Sequence, residues 1–206
     1  MTTGGEGGMV TTNDEVLWRA MWSFKDHGKS YAAVYEREHA PGFRWLHESF
    51  GTNWRMLEMQ AVIGRIQLQR MAGWTATRTR YAEQIWAACR SHSALHVPEV
   101  PANVQHAHYK CYAYVRPEQL AAGWNRDRIV AAINALGVPC YQGSCSEVYM
   151  EKAFDGTGWR PAAPLPTAHA LGTTSVMFLV HPTLTQAEVD TTCTAIVQVM
   201  QQATAA

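Results

Sequence analysis

One stretch does most to decide the fold of this 206-residue chain: residues 51–64, which read GTNWRMLEMQAVIG. It places an amide (Asn53), an aromatic ring (Trp54) and a guanidinium (Arg55) in a row where a loop enters a predicted helix. The start of a helix exposes free backbone N–H groups and a positive dipole end, which suits an anionic ligand. From the residues alone, the plainer interpretation is favoured: Asn53 caps the helix, and Arg55 is an ordinary surface charge.

Helical periodicity extends in both directions from this stretch. Downstream, apolar residues at helical spacing predict a long helix over residues 55–90. Upstream, Thr12 and Glu15 form a capping box in front of a shorter helix, and Gly28 is the residue expected to end it. Residues 29–52 show no sustained period, so they are predicted to form a long loop.

The second half of the chain alternates between strands and helices. Strand-like runs occupy residues 108–115, 138–142 and 173–180. Asn125 is the predicted cap of a helix that directs Ile129, Ile133 and Leu136 inward, and a second capping box, Thr185 with Glu188, begins the last helix. This order predicts a compact α+β unit with a mainly antiparallel sheet.

Three segments follow from these patterns. Residues 1–54 are interpreted as the trailing edge of a larger domain, including the long loop 29–52. Residues 55–91 form a connecting helix, and residues 92–206 form a C-terminal α+β small domain. An isolated edge of a larger domain is expected to pack poorly, leaving Met21 and Met59 without partners.

Composition excludes several classes of function. The chain has 17 Lys+Arg and 17 Asp+Glu, so it lacks the basic field expected of a nucleic-acid-binding protein. Its apolar runs are too short for a membrane span, and we expect a cytoplasmic protein. The five cysteines include no CxxC pair, and His106 and His108, although placed on one face of a predicted strand, have no further ligand at suitable spacing. No metal site is therefore predicted.

Four segments, in order, resemble motifs of the DegT/DnrJ/EryC1/StrS family of sugar aminotransferases. They are TTGGEGG at 2–8, MVTTNDE at 9–15, the run at 53–64, and LVHPTLTQAEVD at 179–190. The resemblance implies an α/β fold of the aspartate-aminotransferase type (type I), of which this chain is the C-terminal part with its α+β small domain. It also implies pyridoxal phosphate as cofactor, and amino transfer from glutamate to a nucleotide-linked keto-sugar in polysaccharide or deoxysugar biosynthesis.

The resemblance also assigns roles to particular residues. Asn53 matches the family residue that reaches across a dimer interface to the cofactor phosphate, and Arg55 matches one near the cofactor or substrate in the partner's site. These matches imply an obligate homodimer. Tyr141, Gln142 and Ser144 stand where the family places sugar-contacting residues, although the family's common His-Tyr pair is absent.

The family's Schiff-base lysine would precede Thr2. None of the four lysines of this sequence matches it; they are Lys25, Lys29, Lys110 and Lys152. We therefore expect no catalytic residue and no transaminase activity from this chain alone. Two alternatives stay open: a non-catalytic relative that pairs with a full-length aminotransferase and lends it Asn53 and Arg55, and a sugar-binding module that uses the eight tryptophans.

Overall fold

A computed structural model describes residues 4–42 and 44–204 of the chain. Its contacts divide the chain between Met71 and Ala72 into an N-terminal and a C-terminal unit, and each unit is described by itself. Thr2 and Thr3, the first residues of the TTGGEGG run, lie outside the described residues. The division into segments 1–54, 55–91 and 92–206 stays a prediction.

The N-terminal unit contains two helices and the start of a third. They are α1 (Glu15–Lys25), α2 (Tyr31–Tyr35) and α3 (Glu58–Arg90), the last of which continues into the C-terminal unit. The long predicted helix is thus present and begins three residues later than expected. Residues 9–11, which precede α1, are not in a strand, and Met9 and Val10 are exposed.

Helix α1 begins two residues later than the predicted capping box. The Asp14 Oδ1 accepts a hydrogen bond from the Leu17 N–H at 3.0 Å, so Asp14 is the cap. The predicted cap, Thr12, instead accepts from the Asp14 N–H at 3.0 Å. Local side-chain hydrogen bonds of this kind are typical just before a helix. Because Asp14 can cap a helix as well as Thr12 can, α1 begins two residues later than predicted.

Helix α1 ends at Lys25, three residues before Gly28, the residue that was expected to end it. The Gly28 N–H donates to the Ser23 carbonyl at 2.8 Å, and the Gly28 φ of +83° is one that glycine adopts without strain. The predicted loop 29–52 is more ordered than expected, because it contains α2 and is fixed by backbone bonds. Among these, the Ser30 N–H donates to the backbone carbonyl of Leu46, and Leu46 is buried.

The N-terminal unit leaves much apolar surface exposed. No residue of α1 is buried, and Met59 and Ile63 on α3 are 71% and 47% exposed. Met21 and Trp22 are half-buried, however, and Trp22 packs edge-on against Tyr31 with ring centroids 5.2 Å apart. The expectation of poor packing therefore holds for the start of α3 and is wrong for α1, which packs on α2 through its aromatic side chains.

The C-terminal unit is built on a four-stranded antiparallel sheet. The strands are β1 (Leu95–His96), β2 (Cys111–Val115), β3 (Cys140–Tyr141) and β4 (Ser175–Phe178), arranged in the order β1-β2-β4-β3. The helices are α4 (Arg126–Ala135), α5 (Pro166–Thr174) and α6 (Gln186–Thr204). Each strand pairing is antiparallel, as predicted.

Both predicted helix starts in this unit are confirmed. The Asn125 Oδ1 accepts from the Arg128 N–H at 2.8 Å. Thr185 and Glu188 exchange bonds as a capping box, with the Thr185 N–H donating to Glu188 Oε2 at 2.7 Å. Leu136 is not inward-facing: α4 ends at Ala135, and the Leu136 side chain is 41% exposed.

The core of this unit lies between the sheet and its helices. Its largest fully buried side chains include Phe178, Ile85, Ile129, Ile196 and Met200. Alternate residues of β2 point into this core, since Cys111, Ala113 and Val115 are buried and the residues between them are half-buried. Full burial of such side chains contributes on the order of 1.5–3 kcal/mol each, which makes this core the main stabilising feature of the unit.

The first main strand begins later than predicted. Strand β2 starts at Cys111 rather than at residue 108, and His108 has a φ of +45°, which interrupts an extended chain. His106 and His108 thus precede the strand, and their rings lie 4.3 Å apart. Within residues 4–42 and 44–204, no three His, Cys, Asp or Glu side chains form a group that could hold a metal ion.

In the described part of the chain, no helix is both long enough and apolar enough to cross a bilayer.

Candidate functional site

The predicted site residues fall in both units: Asn53 and Arg55 in the N-terminal unit, and Tyr141, Gln142 and Ser144 in the C-terminal unit. Asn53 lies in an extended segment that pairs with the end of α1. The Thr52 carbonyl accepts from the His27 N–H at 2.9 Å, and the Trp54 N–H donates to the Lys25 carbonyl at 3.0 Å. The backbone on both sides of Asn53 is therefore fixed, while its side chain is exposed.

Asn53 does not cap a helix, so the plainer interpretation of this residue is wrong. Helix α3 begins at Glu58, five residues further on. The Leu57 N–H near its start donates to the Gln60 Oε1 at 3.0 Å, which supplies the capping contact from inside the helix. The amide of Asn53 remains available for another ligand.

Two glycines allow this segment to approach α1. A Cβ added to Gly51 would lie 2.4 Å from the Gly28 backbone nitrogen, and one added to Gly28 would lie 1.8 Å from the Ser49 carbonyl oxygen. Any side chain at either position would push the two segments apart. The backbone position of Asn53 thus depends on glycines 23 residues apart in sequence.

Arg55 is held by a carboxylate in its own unit. Its Nη2 lies 2.6 Å from the Oδ1 of Asp26, and the Lys29 Nζ lies 3.6 Å from the same oxygen. Asp26 is 8% exposed, whereas the Arg55 side chain is 48% exposed. Arg55 is therefore more than an ordinary surface charge: its guanidinium forms an ion pair with Asp26, and about half of its side chain remains open to a second anion.

The glycine-rich run reaches the same segment of the chain. The Gln60 Nε2 donates to the Glu6 carbonyl at 2.7 Å, and a Cβ on Gly4 would lie 3.0 Å from the Gln60 carbonyl oxygen. This hydrogen bond joins two motifs beside the N-terminus of α3, between residues that are 54 positions apart in sequence. Free N–H groups at a helix N-terminus favour an anionic ligand.

In the C-terminal unit, Tyr141 and Gln142 lie at the end of β3. Tyr141 is 48% exposed. Gln142 is used within the unit: its Nε2 donates to Asp127 Oδ1 at 2.6 Å, and its carbonyl accepts from Ser175 Oγ at 2.6 Å. Hydrogen bonds from Arg126 and then Gln142 lower the pKa of Asp127, so this carboxylate stays ionised.

Ser144 contacts two residues that the sequence analysis did not select. Its Oγ accepts from the Lys110 Nζ at 3.4 Å and from the Tyr112 hydroxyl at 3.3 Å. Its N–H donates to the same hydroxyl at 3.2 Å. Lys110 and Tyr112 are two residues apart beside and within β2, so strand alternation was the available signal that they share a face.

A second set of bonds holds the chain that follows Ser144. The Glu147 carboxylate accepts from the Tyr149 hydroxyl at 2.7 Å and lies 3.0 Å from His169 Nδ1 on α5. The Tyr149 bond and then the His169 bond lower the pKa of Glu147. The Tyr149 hydroxyl also accepts from the Leu165 N–H at 2.9 Å, so three positions along this segment are joined.

Comparison with known proteins explains this arrangement of motifs. The sequence matches the DegT/DnrJ/EryC1/StrS aminotransferase family over residues 1–197. This chain belongs to that family. The structural neighbours of the DegT/DnrJ/EryC1/StrS chain are sugar aminotransferases of the type I pyridoxal-phosphate fold, which confirms the predicted fold class.

Three relatives show the extent of the match. The crystal structure of an aminotransferase from Psychrobacter cryohalolentis is 62% identical, superposes with a TM-score of 0.92, and is matched over 98% of this chain and 53% of its own. GDP-perosamine synthase of Caulobacter vibrioides is 29% identical over 96% of this chain and 49% of its own length. UDP-N-acetyl-3-dehydro-alpha-D-glucosamine 3-aminotransferase of Acidithiobacillus ferrooxidans is 31% identical over 65% of this chain and 31% of its own length.

The chain spans half or less of the length of these curated relatives. A more distant neighbour, a putative sugar aminotransferase from Streptococcus pneumoniae solved in its PLP form, is 16% identical with a TM-score of 0.68, which shows a shared fold alone.

Proposed function

We propose that this chain is the C-terminal portion of a pyridoxal-phosphate-dependent aminotransferase of nucleotide-linked keto-sugars, with glutamate as the amino donor, in polysaccharide or deoxysugar biosynthesis. The family match over residues 1–197, with the glycine-rich run and the 53–64 motif joined through Gln60, carries this proposal. The names of the two curated relatives, both enzymes of nucleotide-sugar amination, support it. We assign the protein to the cytoplasm, where free cysteines such as Cys145 remain reduced.

The residues of the N-terminal unit fit contacts to a cofactor phosphate. Asn53 offers amide N–H donors from a fixed backbone, and Arg55 offers a half-exposed guanidinium that is ion-paired with Asp26. When bound, pyridoxal phosphate supplies the electron sink for amino transfer. We assign the phosphate contacts to Asn53 and Arg55 and the Schiff-base role to no lysine of this chain.

The residues of the C-terminal unit fit contacts to a sugar. Tyr141 presents an exposed aromatic ring and Ser144 a hydroxyl, while the Gln142 side chain is bound to Asp127 and acts by orienting the loop. Aromatic rings and hydroxyls are the groups expected to pack against and bond a sugar ring. We infer that Tyr141 and Ser144 contact the sugar and that Gln142 positions them.

A shared site in a dimer is part of the proposal. Asn53 would serve the cofactor site of a second subunit, in a homodimer or in a pair with a full-length relative. In the second arrangement, this chain contributes binding residues to the site of another subunit.

Rescue across such an interface tests the proposal. The 62%-identical Psychrobacter aminotransferase would carry alanine at the position aligned with Asn53, and would be co-expressed with this chain bearing a separate affinity tag. We expect co-purification and partial recovery of aminotransferase activity. The Asn53→Ala chain should co-purify without restoring activity, and equal rescue by both chains, or no rescue by either, would reject the shared site.

A further inference from the structure

The cationic amine of Lys110 lies beside Ser144, in the segment (residues 141–144) that is proposed to contact the sugar. The Lys110 Nζ lies 3.4 Å from the Ser144 Oγ and 5.6 Å from the centre of the Tyr109 ring. Within the described residues, no Asp or Glu carboxylate lies at ion-pairing distance from this amine. The nearby Asp127 is already engaged by Arg126 and by the Gln142 amide.

The hydrogen-bonding capacity of Ser144 points to the missing partner. A hydroxyl has two acceptor lone pairs and one donor hydrogen. The Lys110 amine and the Tyr112 hydroxyl occupy both lone pairs of the Ser144 Oγ. The Ser144 O–H hydrogen and two of the three Lys110 N–H donors are therefore left to donate to a ligand, so this region offers donors and a positive charge.

The loop is fixed in place before any ligand binds. The Ser144 N–H donates to the Tyr112 hydroxyl, and the Trp86 Nε1 donates to the Tyr112 carbonyl at 2.9 Å. Gly143 has a φ of +102°, and a Cβ there would lie 2.6 Å from the Tyr112 ring. A glycine thus lets the loop rest directly on the Tyr112 ring, and such preorganisation lowers the entropic cost of binding.

We propose that Lys110, with the Ser144 hydroxyl held by Tyr112, binds an anionic oxygen group of the substrate. This inference rests on the proposed function, because a nucleotide-linked sugar carries such oxygens on its diphosphate and, when the sugar is a uronic acid, on a carboxylate as well. Lysine binds either group as a point charge. Lys110 is then a substrate-binding residue that the family motifs do not include.

Direct binding by the full chain tests this assignment without cofactor or turnover. Isothermal titration calorimetry would use UDP-glucose, GDP-mannose and UDP-glucuronate with the wild-type chain and with Lys110→Met, Lys110→Arg and Ser144→Ala. Lys152→Met is the matched control, since Lys152 is exposed in the same unit. We expect Lys110→Met to raise the Kd about tenfold, which corresponds to about 1.4 kcal/mol, Lys110→Arg to restore part of the affinity, and Lys152→Met to leave it unchanged.

The pattern of loss identifies the anionic group. Loss with all three ligands assigns Lys110 to the diphosphate, and loss confined to UDP-glucuronate assigns it to the sugar carboxylate. The proposal is overturned if Lys110→Met and Lys152→Met weaken binding equally. It is also overturned if the wild-type chain binds none of the three ligands. Either negative result leaves the Asn53 rescue experiment unaffected, because that experiment measures activity in a different subunit.

Discussion

Arg55 Nη2 and Asp26 Oδ1 lie 2.6 Å apart, and the two residues differ strongly in solvent exposure. The Asp26 residue is 8% exposed, while nearly half of the Arg55 side chain is open to solvent. A nearly buried carboxylate is stable only with a partner, and Arg55 is the cation nearest to Asp26. The residue proposed for the cofactor phosphate therefore has a structural role as well.

Replacing Arg55 should reveal that structural role. Arg55→Gln leaves Asp26 with the more distant Lys29 as its cation, and we expect the chain to lose about 1–2 kcal/mol of unfolding free energy. This is below the roughly 3–5 kcal/mol of a fully buried pair, because the arginine is half solvated. Urea unfolding followed by tryptophan fluorescence measures the loss. Arg70→Gln, on the exposed surface of α3, is the control, and equal losses for both variants would show that the ion pair contributes nothing.

Gly28 tests whether close backbone approach positions Asn53. Gly28→Ala would combine an unfavourable φ of +83° with a Cβ placed 1.8 Å from the Ser49 carbonyl oxygen. We expect a loss of at least about 3 kcal/mol in unfolding free energy, since the backbone must move. The measurement is the shift in the urea midpoint.

Gly42→Ala is the matched control for that prediction. Gly42 also has a positive φ, +109°, but a Cβ there would meet no atom within 4 Å. The Gly42→Ala variant should therefore lose only the unfolding free energy that backbone strain costs, about 1–3 kcal/mol. A loss for Gly28→Ala no larger than that for Gly42→Ala would mean that the segment containing Asn53 can shift without cost.

Local signals predicted a large part of this fold. Capping side chains such as Asn125 and the Thr185–Glu188 pair bond within three residues, so the sequence shows their geometry directly. Each predicted strand run contains an observed strand, although the strands are shorter than the runs and residues 173–174 belong to α5. Alternation in β2 separates buried from half-buried residues. The start of β2 was predicted too early, because an alternating sequence pattern does not reveal that His108 has a positive φ.

The candidate site depended on contacts that sequence spacing cannot show. Asn53 looked like a helix cap because it precedes a helical pattern, yet its segment is instead drawn against α1 through two glycines. Lys110 was missed because its contact with Ser144 joins residues 34 apart in sequence. The family resemblance selected Ser144 but gave no reason to select the amine beside it.

The Glu147 contacts should make the stability of the C-terminal unit depend on pH in the acidic range. Hydrogen bonds from Tyr149 and His169 hold the pKa of Glu147 below its ordinary value of 4.5. Their contribution to stability is therefore complete above about pH 4.5 and is lost as the pH falls through the lower, folded-state pKa. We expect Glu147→Gln to be less stable than wild type at pH 7, and the difference to shrink as the pH falls below 4.5.

Urea unfolding at a series of pH values from 7 to 3 measures this difference. Glu118→Gln serves as the control, since Glu118 is exposed on a short turn. A stability difference between wild type and Glu147→Gln that stays constant across this range would show that the carboxylate does not need its charge to hold Tyr149 and His169.

The five cysteines should differ sharply in reactivity, and Cys145 should react first. Cys145 is exposed, whereas burial raises the pKa of Cys89 and of Cys140 to about 12 and also raises the pKa values of Cys111 and half-buried Cys193. At pH 8 a thiol of pKa 12 is ionised in only about 1 molecule in 10,000, and the thiolate is the reactive form. Ellman's reagent at pH 8 should therefore modify one thiol per chain in a fast phase, which Cys145→Ser removes and Cys193→Ser preserves. Unfolding in urea should make all five thiols reactive, and two or more fast thiols in the folded chain would mean that the core around β2 and α6 opens far more often than its burial implies.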